Sequence, residues 1–76
     1  MPLIDELRYT KALDYDGSNR LLYQGMAIPG TASSAAAWSI QRYAYDAAGN
    51  LTNIQWAGGT NEMRYVWDDR ATYSYS

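Results

Sequence analysis

Trp38-Ser39-Ile40-Gln41-Arg42-Tyr43-Ala44-Tyr45, then Asp46-Ala47-Ala48-Gly49-Asn50, then Leu51-Thr52-Asn53-Ile54-Gln55-Trp56-Ala57 is a pair of strand-forming runs joined by a turn cluster, the pattern of a β-hairpin. Trp38, Ile40 and Ala44 fall on one side of the first run and Tyr43 and Tyr45 on the other; Ile54 and Trp56 are in phase in the second. Asp46 has the side chain to hydrogen-bond the backbone of its own turn, and Gly49 the freedom to take a left-handed conformation there. The arrangement has an echo at a spacing of 30: Tyr15-Asp16 with Leu21 matches Tyr45-Asp46 with Leu51, each followed by Gly/Asn turn residues. Two copies are too few for a solenoid, so two similar hairpins are expected.

Turn chemistry divides the rest of the chain at similar intervals. Asp16-Gly17-Ser18-Asn19, Ile28-Pro29-Gly30-Thr31 and Gly58-Gly59 are further turn clusters, with Gly17, the Pro29-Gly30 pair, Asp46, Gly49, Gly58 and Gly59 setting the geometry. Between them, residues 8–15 alternate Tyr9, Lys11, Leu13 and Tyr15 on one face, and residues 20–28 set Leu22, Met26 and Ile28 against Leu21 and Tyr23. Residues 71–76 alternate Tyr73 and Tyr75 with Thr72, Ser74 and Ser76, giving a last strand. Residues 61–69 fit either period: Met63, Tyr65 and Trp67 suit a strand, whereas Met63, Val66 and Trp67 share one helical face. Thr60 or Asn61 as cap and Glu62 in the first turn favour a short helical turn. The small-residue run Ala32–Ala37 reads as a linker, and residues 1–8 as a short helix or an arm that docks on a neighbour. The expectation is a mainly all-β chain, a single small domain over residues 1–76: an antiparallel β-sandwich or barrel of about five strands with one short helical turn.

A chain of 76 residues buries only about 60% of its unfolded surface, and such a core seldom contributes more than about 3–5 kcal/mol unaided. Disulfides cannot make up the difference, because there is no cysteine, and there is no histidine either. Those two absences exclude Cys/His zinc sites, haem ligation through either residue, iron–sulfur clusters, and Ser-His-Asp or Cys-His catalysis. A partner chain is left as the expected staple. Eight acidic and six basic residues give a net charge of −2 with no basic stripe, which argues against nucleic acid. No apolar run approaches the roughly 20 residues that span a bilayer. Met1-Pro2-Leu3-Ile4-Asp5-Glu6 places acids where a signal peptide has its basic region, so a soluble, unprocessed chain is expected.

The aromatic set is eight Tyr, three Trp and no Phe, so every ring carries a hydrogen-bonding group, and five of the six basic residues are Arg. Rings of this kind suit surfaces that are apolar in one place and wet in another, and Tyr, Trp, Met and Arg with little Lys is the composition of interface cores. Strands favour Tyr and Trp in any case, and the two readings are compatible. Trp38, Trp56 and Trp67 are the expected core or interface anchors, Tyr43, Tyr45, Tyr73 and Tyr75 the anchors on more exposed faces, and Arg70 an ion-pair or turn partner of Asp68-Asp69.

The remaining chemical motifs fail at their strict positions. Asp14-Tyr15-Asp16-Gly17-Ser18-Asn19 begins like a calcium loop, but Asn19 stands where the turn glycine belongs and Gly25 where the bidentate glutamate belongs. Asp68 and Asp69 are adjacent, so on a strand their carboxylates diverge. Asn50-Leu51-Thr52 matches a glycosylation sequon without a secretory signal, and no lysine or helix pattern follows Gly49 as a phosphate loop requires. No cofactor, metal or catalytic residue is expected, and an enzyme is disfavoured.

Residues Tyr43 to Thr52 locally resemble the YD repeats of Rhs-type β-shells, in which Tyr-Asp is followed by a Gly-Asn turn and a short strand; a fragment of such a shell would need many more repeats. A broader resemblance covers most of the chain. Leu22-Tyr23-Gln24-Gly25, Ala27-Ile28-Pro29-Gly30-Thr31, Trp38-Ser39-Ile40, the 45–52 hairpin, Trp56-Ala57-Gly58-Gly59 and Val66-Trp67-Asp68-Asp69-Arg70 before a Tyr-Ser terminus follow an order that resembles small tailed-bacteriophage and prophage proteins, often encoded among tail or fibre genes. The resemblance implies a non-enzymatic virion component, made in the host cytoplasm, present in many copies and partnered by itself and other virion proteins. A tail, fibre, adaptor or capsid-decoration role is consistent with it, and it supplies no functional residues. The alternative is a carbohydrate-binding β module that stacks sugars on exposed Trp and Tyr.

Overall fold

Both hairpins are present in the computed structural model, which describes residues 9–76; the arm or helix expected over residues 1–8 lies outside the described residues. Strand β1 (Thr10–Tyr15) turns into β2 (Leu21–Ala27), and β3 (Ala36–Tyr45) turns into β4 (Leu51–Trp56). A two-residue strand β5 (Tyr65–Val66) leads into a 3-10 helix, η1 (Trp67–Thr72). All pairings are antiparallel in the order β1-β2-β3-β4, with β5 on β3. The two Asp turns match atom for atom. Asp16 Oδ1 accepts from the backbone N–H of Ser18 and Arg20, and Asp46 Oδ1 from those of Ala48 and Asn50, at 2.8–3.0 Å. The left-handed residue is Gly49 (φ 88°) in one and Asn19 (φ 64°), not Gly17, in the other; asparagine is among the few side chains that tolerate that region.

The all-β expectation with five antiparallel strands is met, but in one open sheet rather than a sandwich or barrel. The reason lies in the C-terminal quarter. Residues 65–76 spread Trp67, Arg70, Tyr73 and Tyr75 over one face of the sheet and so supply the second layer without a second sheet. The expected strand over 71–76 is reduced to its last three residues: Ser74–Ser76 bond Trp56–Gly58 through Trp56 N–H to Ser76 O (3.0 Å), Ser76 N–H to Trp56 O (3.1 Å) and Gly58 N–H to Ser74 O (2.8 Å). The helical turn expected within 61–69 begins only at Trp67, after a strand at Tyr65–Val66. Thr60 Oγ1 does accept from Glu62 N–H, but as an isolated turn rather than a helix cap. The supposed linker is partly β3, which starts at Ala36, and its Ala32 carbonyl receives the Trp38 indole N–H at 3.0 Å.

Strand alternation assigns the two faces. The registers Ala12↔Gly25, Gly25↔Ile40 and Asp14↔Tyr23, Tyr23↔Arg42 place these residues on the covered face. Leu13↔Gln24, Gln24↔Gln41 and Gln41↔Trp56 run across the other, open face. The buried core is Ala27, Trp38, Ile40, Ala57 and Trp67, with Ala12, Tyr23, Tyr65, Tyr73 and Tyr75 packed against it. At its centre the indoles of Trp38 and Trp67 meet at 6.0 Å and lie over Gly25, where no side chain holds them off the backbone.

Candidate functional site

The covered face is closed by stacked rings and guanidinium groups. Arg70 Nε and Nη2 each lie 3.0 Å from Asp14 Oδ2, and Nη1 donates to the Trp67 carbonyl. Its guanidinium stands 4.6 Å from the Trp67 ring centroid and 5.9 Å from that of Tyr23. Tyr75 packs against Tyr23, receives the Arg42 guanidinium at 5.0 Å and donates its hydroxyl to the Arg70 carbonyl at 2.7 Å. Burial pushes the Tyr75 phenol up to about 12; nearby Tyr23 adds to the rise, and Arg42 and Arg70 oppose it. Arg42 also donates to Gln55 Oε1. Tyr73 sits edge-on to Tyr65 and accepts from Val66 N–H. These residues clamp the tail to the sheet, leaving none of this face open to a partner over their area.

The open face and the β4 edge are different. Leu13 (49% exposed), Tyr15 (53%), Leu51 (48%) and Ile54 (46%) project into solvent from β1 and β4. Between Leu13 and the half-buried Trp56 lie Gln24 and Gln41, whose amides bond each other at 3.1 Å. Tyr43 Oη reaches Gln41 at 3.4 Å, and burial raises the Tyr43 phenol above its ordinary range, with Tyr45 beside it adding to the rise. Tyr45 donates to the Leu21 carbonyl, 2.7 Å away, tying the second hairpin to the first. Leu51–Trp56 contains neither a charged residue nor proline, the devices that ordinarily keep an edge strand from pairing. Trp56 already bonds Ser76 on that edge, so its backbone groups point away from β3; by alternation those of Ile54 do too. Ser74–Ser76 covers only the Trp56 end.

The structure therefore separates the anchors expected from the sequence into four groups. Trp38 and Trp67 are core; Tyr73, Tyr75 and Arg70 hold the tail; Trp56 and Tyr43 belong to the open face, and Tyr45 to the seam between hairpins. Arg70 pairs with Asp14 rather than with Asp68 or Asp69, because η1 turns it back over β1; Asp68 instead accepts from Ser33 Oγ. The turn residues sit as expected at Pro29-Gly30, where Thr31 N–H reaches the Ile28 carbonyl, and at Gly58-Gly59. Sequence reasoning missed Leu13, Leu51, Ile54 and Tyr15 as surface groups. The available clue was Lys11, which shares a face with Leu13 and Tyr15 and has to reach water. Among the described residues there is no group of three acidic, His or Cys side chains placed to hold a metal, and no enclosed pocket forms. What the arrangement can do is pair and pack. Compared with protein-family models, curated proteins and solved structures, the chain matches none of them.

Proposed function

We propose that this chain is a small, non-enzymatic structural subunit of a bacteriophage particle, present in many copies in a tail, fibre, adaptor or decoration layer and acting by protein–protein packing. The phage assignment rests on the order of motifs from Leu22 to Arg70. The packing role rests on one observation above all: the edge strand Leu51–Trp56 has no charge or proline, and outside its Trp56 end it lies uncovered beside the aliphatic side chains of the open face. Such an edge is a template for another strand, and natural sequences that avoid pairing blunt it. Its partners in this reading are further copies and other virion proteins.

Sedimentation of the purified chain from low to high micromolar concentration tests the packing role, and mass spectrometry of purified particles tests the location. Concentration-dependent association, abolished by Ile54→Lys with an unchanged circular dichroism spectrum, supports the reading. A strictly monomeric chain absent from particles would sink it. The carbohydrate-binding alternative is less well served, since Trp38 and Trp67 are buried and Tyr43, Tyr45 and Trp56 on the open side are themselves partly buried. A glycan array without hits removes it.

A further inference from the structure

The two hairpins are one module used twice. In both, the Asp N–H donates to the carbonyl four residues on at 2.9 Å, and its side chain accepts from the N–H groups two and four residues on. In both, the register slips by one residue just before that Asp, at Asp14/Tyr15 and at Ala44/Tyr45. Each position in the second module is the first plus 30: Asp16 becomes Asp46, Asn19 becomes Gly49, Leu21 becomes Leu51. The chain also shows how two modules join. The second strand of the first module receives the first strand of the second, with Tyr23, Gln24, Gly25 and Met26 opposite Arg42, Gln41, Ile40 and Ser39.

Moving that joint along by one module places β4 where β2 stands and the β1 of another molecule where β3 stands. We propose that copies of this chain associate head to tail through the β4 edge of one and the β1 edge of the next, antiparallel and in the register of the internal β2–β3 joint. Adding 30 to the β2 residues and subtracting 30 from the β3 residues of that register sets Gln55 opposite Thr10 of the next copy, Ile54 opposite its Lys11 and Asn53 opposite its Ala12. This rests on the assembly reading above and names the partner of that same edge.

The backbone phase agrees. Trp56 turns its N–H and C=O outward, so its neighbour Gln41 turns toward β2, Gln24 toward β3 and Gly25 toward β1. Ala12, opposite Gly25, therefore turns inward to β2, and Lys11 and Leu13 turn outward. Ile54 and Lys11 of the next copy thus meet as a hydrogen-bonded pair, as Gln24 and Gln41 do inside the chain. The position equivalent to Met26 opposite Ser39 would be Trp56 opposite Tyr9, but Ser76 already occupies the Trp56 edge. The intermolecular joint accordingly starts at Gln55 and is shorter, and so weaker, than the internal one. A head-to-tail joint does not close on itself in two copies. With a twist of roughly 20–25° per strand, four strands turn each copy by about 80–100° relative to the last, producing a twisted strip rather than a dimer.

Because the chain has no cysteine, disulfide trapping tests the register directly. In the double variant Ala12→Cys/Asn53→Cys the two positions lie on opposite edges of one molecule, three strand spacings or roughly 14 Å across the sheet and further separated along it, too far to bridge internally. Across the proposed joint they form a non-hydrogen-bonded pair, the closer kind. Mild oxidation is expected to yield a ladder of dimers, trimers and higher multimers on non-reducing gels, collapsed by reductant, and the pair Thr10→Cys/Gln55→Cys should give the same ladder. Asn53→Cys alone should stay monomeric, as should Leu13→Cys/Asn53→Cys, whose thiols lie on opposite faces. A dimer from Asn53→Cys alone would mean twofold β4–β4 pairing and overturn the proposal. So would the absence of a ladder from both folded in-register variants while the cysteine-free chain sediments as an oligomer, an outcome that leaves the assembly reading standing. A monomer under every condition overturns the proposal, and one that is also absent from particles removes the assembly reading with it.

Discussion

Gly25→Ala adds one methyl group at the most crowded point of the sheet. A Cβ there would lie 2.6 and 2.9 Å from Cε3 and Cζ3 of Trp67 and 3.0 Å from Cε3 of Trp38, against a comfortable carbon–carbon separation of about 3.5 Å. The Trp67 ring would have to retreat by roughly 0.9 Å. It is not free to do so, because the Arg70 guanidinium lies on it at 4.6 Å while Arg70 is itself held by Asp14. Trp38 is fixed by its indole N–H on the Ala32 carbonyl. Overpacking of this kind costs about 1–3 kcal/mol, offset by the roughly 0.5–1 kcal/mol that alanine gains over glycine in backbone entropy. A net loss of about 1–2 kcal/mol corresponds to about 4–16 °C in Tm for a domain of this size. Thermal melts followed by far-ultraviolet circular dichroism read the number, and the near-ultraviolet tryptophan bands report the ring pair. Gly17→Ala, where a Cβ meets nothing within 4 Å and φ is not positive, is the control and should be neutral or slightly stabilising. Trp67→Phe removes the atoms in the way, so in that background Gly25→Ala should cost much less, a coupling that a double-mutant cycle measures. A Gly25→Ala melt at or above the original Tm would refute the account of the core.

Further consequences follow from the same contacts. The Asp16 and Asp46 carboxyls are held below their ordinary value of 3.8, foremost by the backbone N–H groups of Arg20 and Asn50; their stabilisation is complete above that value and lost as pH falls through the depressed folded values. Melts should therefore be flat down to about pH 5 and decline in acid, and the double variant Asp16→Asn/Asp46→Asn should flatten that acid limb. At the alkaline end the Tyr75 phenol, raised from 10.0 to about 12, favours the fold fully below its unfolded value and less as pH climbs through the folded one. Absorbance at about 295 nm should show a late tyrosine titration to which Tyr43 and Tyr75 both contribute, and Tyr75→Phe should remove its latest step. Gly58 has φ +64° with Tyr65 Oη packed where a Cβ would sit, so Gly58→Ala should cost at least about 2 kcal/mol, seen as a lowered midpoint in urea. Arg70→Lys should recover only part of the roughly 1–3 kcal/mol lost in Arg70→Ala, because lysine keeps the charge near Asp14 without the planar stack on Trp67.

Local chemistry made the two hairpins legible. Asp16 and Asp46 each satisfy several N–H groups of their own turn, and the residues at Asn19 and Gly49 tolerate left-handed backbone, so five to seven consecutive residues specify each turn. Period-two alternation then placed β1 to β4 within a residue or two of their ends. The C-terminal quarter was not legible in the same way, because its conformation is set by what it lies on. Tyr73 and Tyr75 alternate as a strand does, yet Thr72 is still in η1; the 3-10 turn is what brings Arg70 to Asp14, 56 positions away, and Tyr75 to Tyr23. A glycine inside a strand weakens it, and only the arrival of Trp38 and Trp67 from elsewhere explains Gly25. The proposed interaction surface was half visible: the absence of charges in Leu51–Trp56 is in the sequence, but that this strand is an edge follows only from the pairing order.

A chain this short was expected to borrow its missing core from a neighbour, and the structure divides that expectation in two. Over one face the chain covers itself: the tail brings Trp67, Tyr73 and Tyr75 down on β2 and β3 and locks them with Arg70 on β1, so the indole pair is buried without a second molecule. Over the other face, and along β4 except at its Trp56 end, nothing among the described residues plays that part, and Leu13, Leu51 and Ile54 remain about half exposed. In the proposed assembly, folding and association therefore draw on different side chains. Changes at Gly25 or Arg70 should lower the melting temperature without altering the joint between copies, whereas Ile54→Lys should abolish association and leave the melt of the monomer nearly unchanged. If Ile54→Lys lowered the monomer's Tm as much as Gly25→Ala does, the two faces would not be independent and the chain would need its neighbour in order to fold.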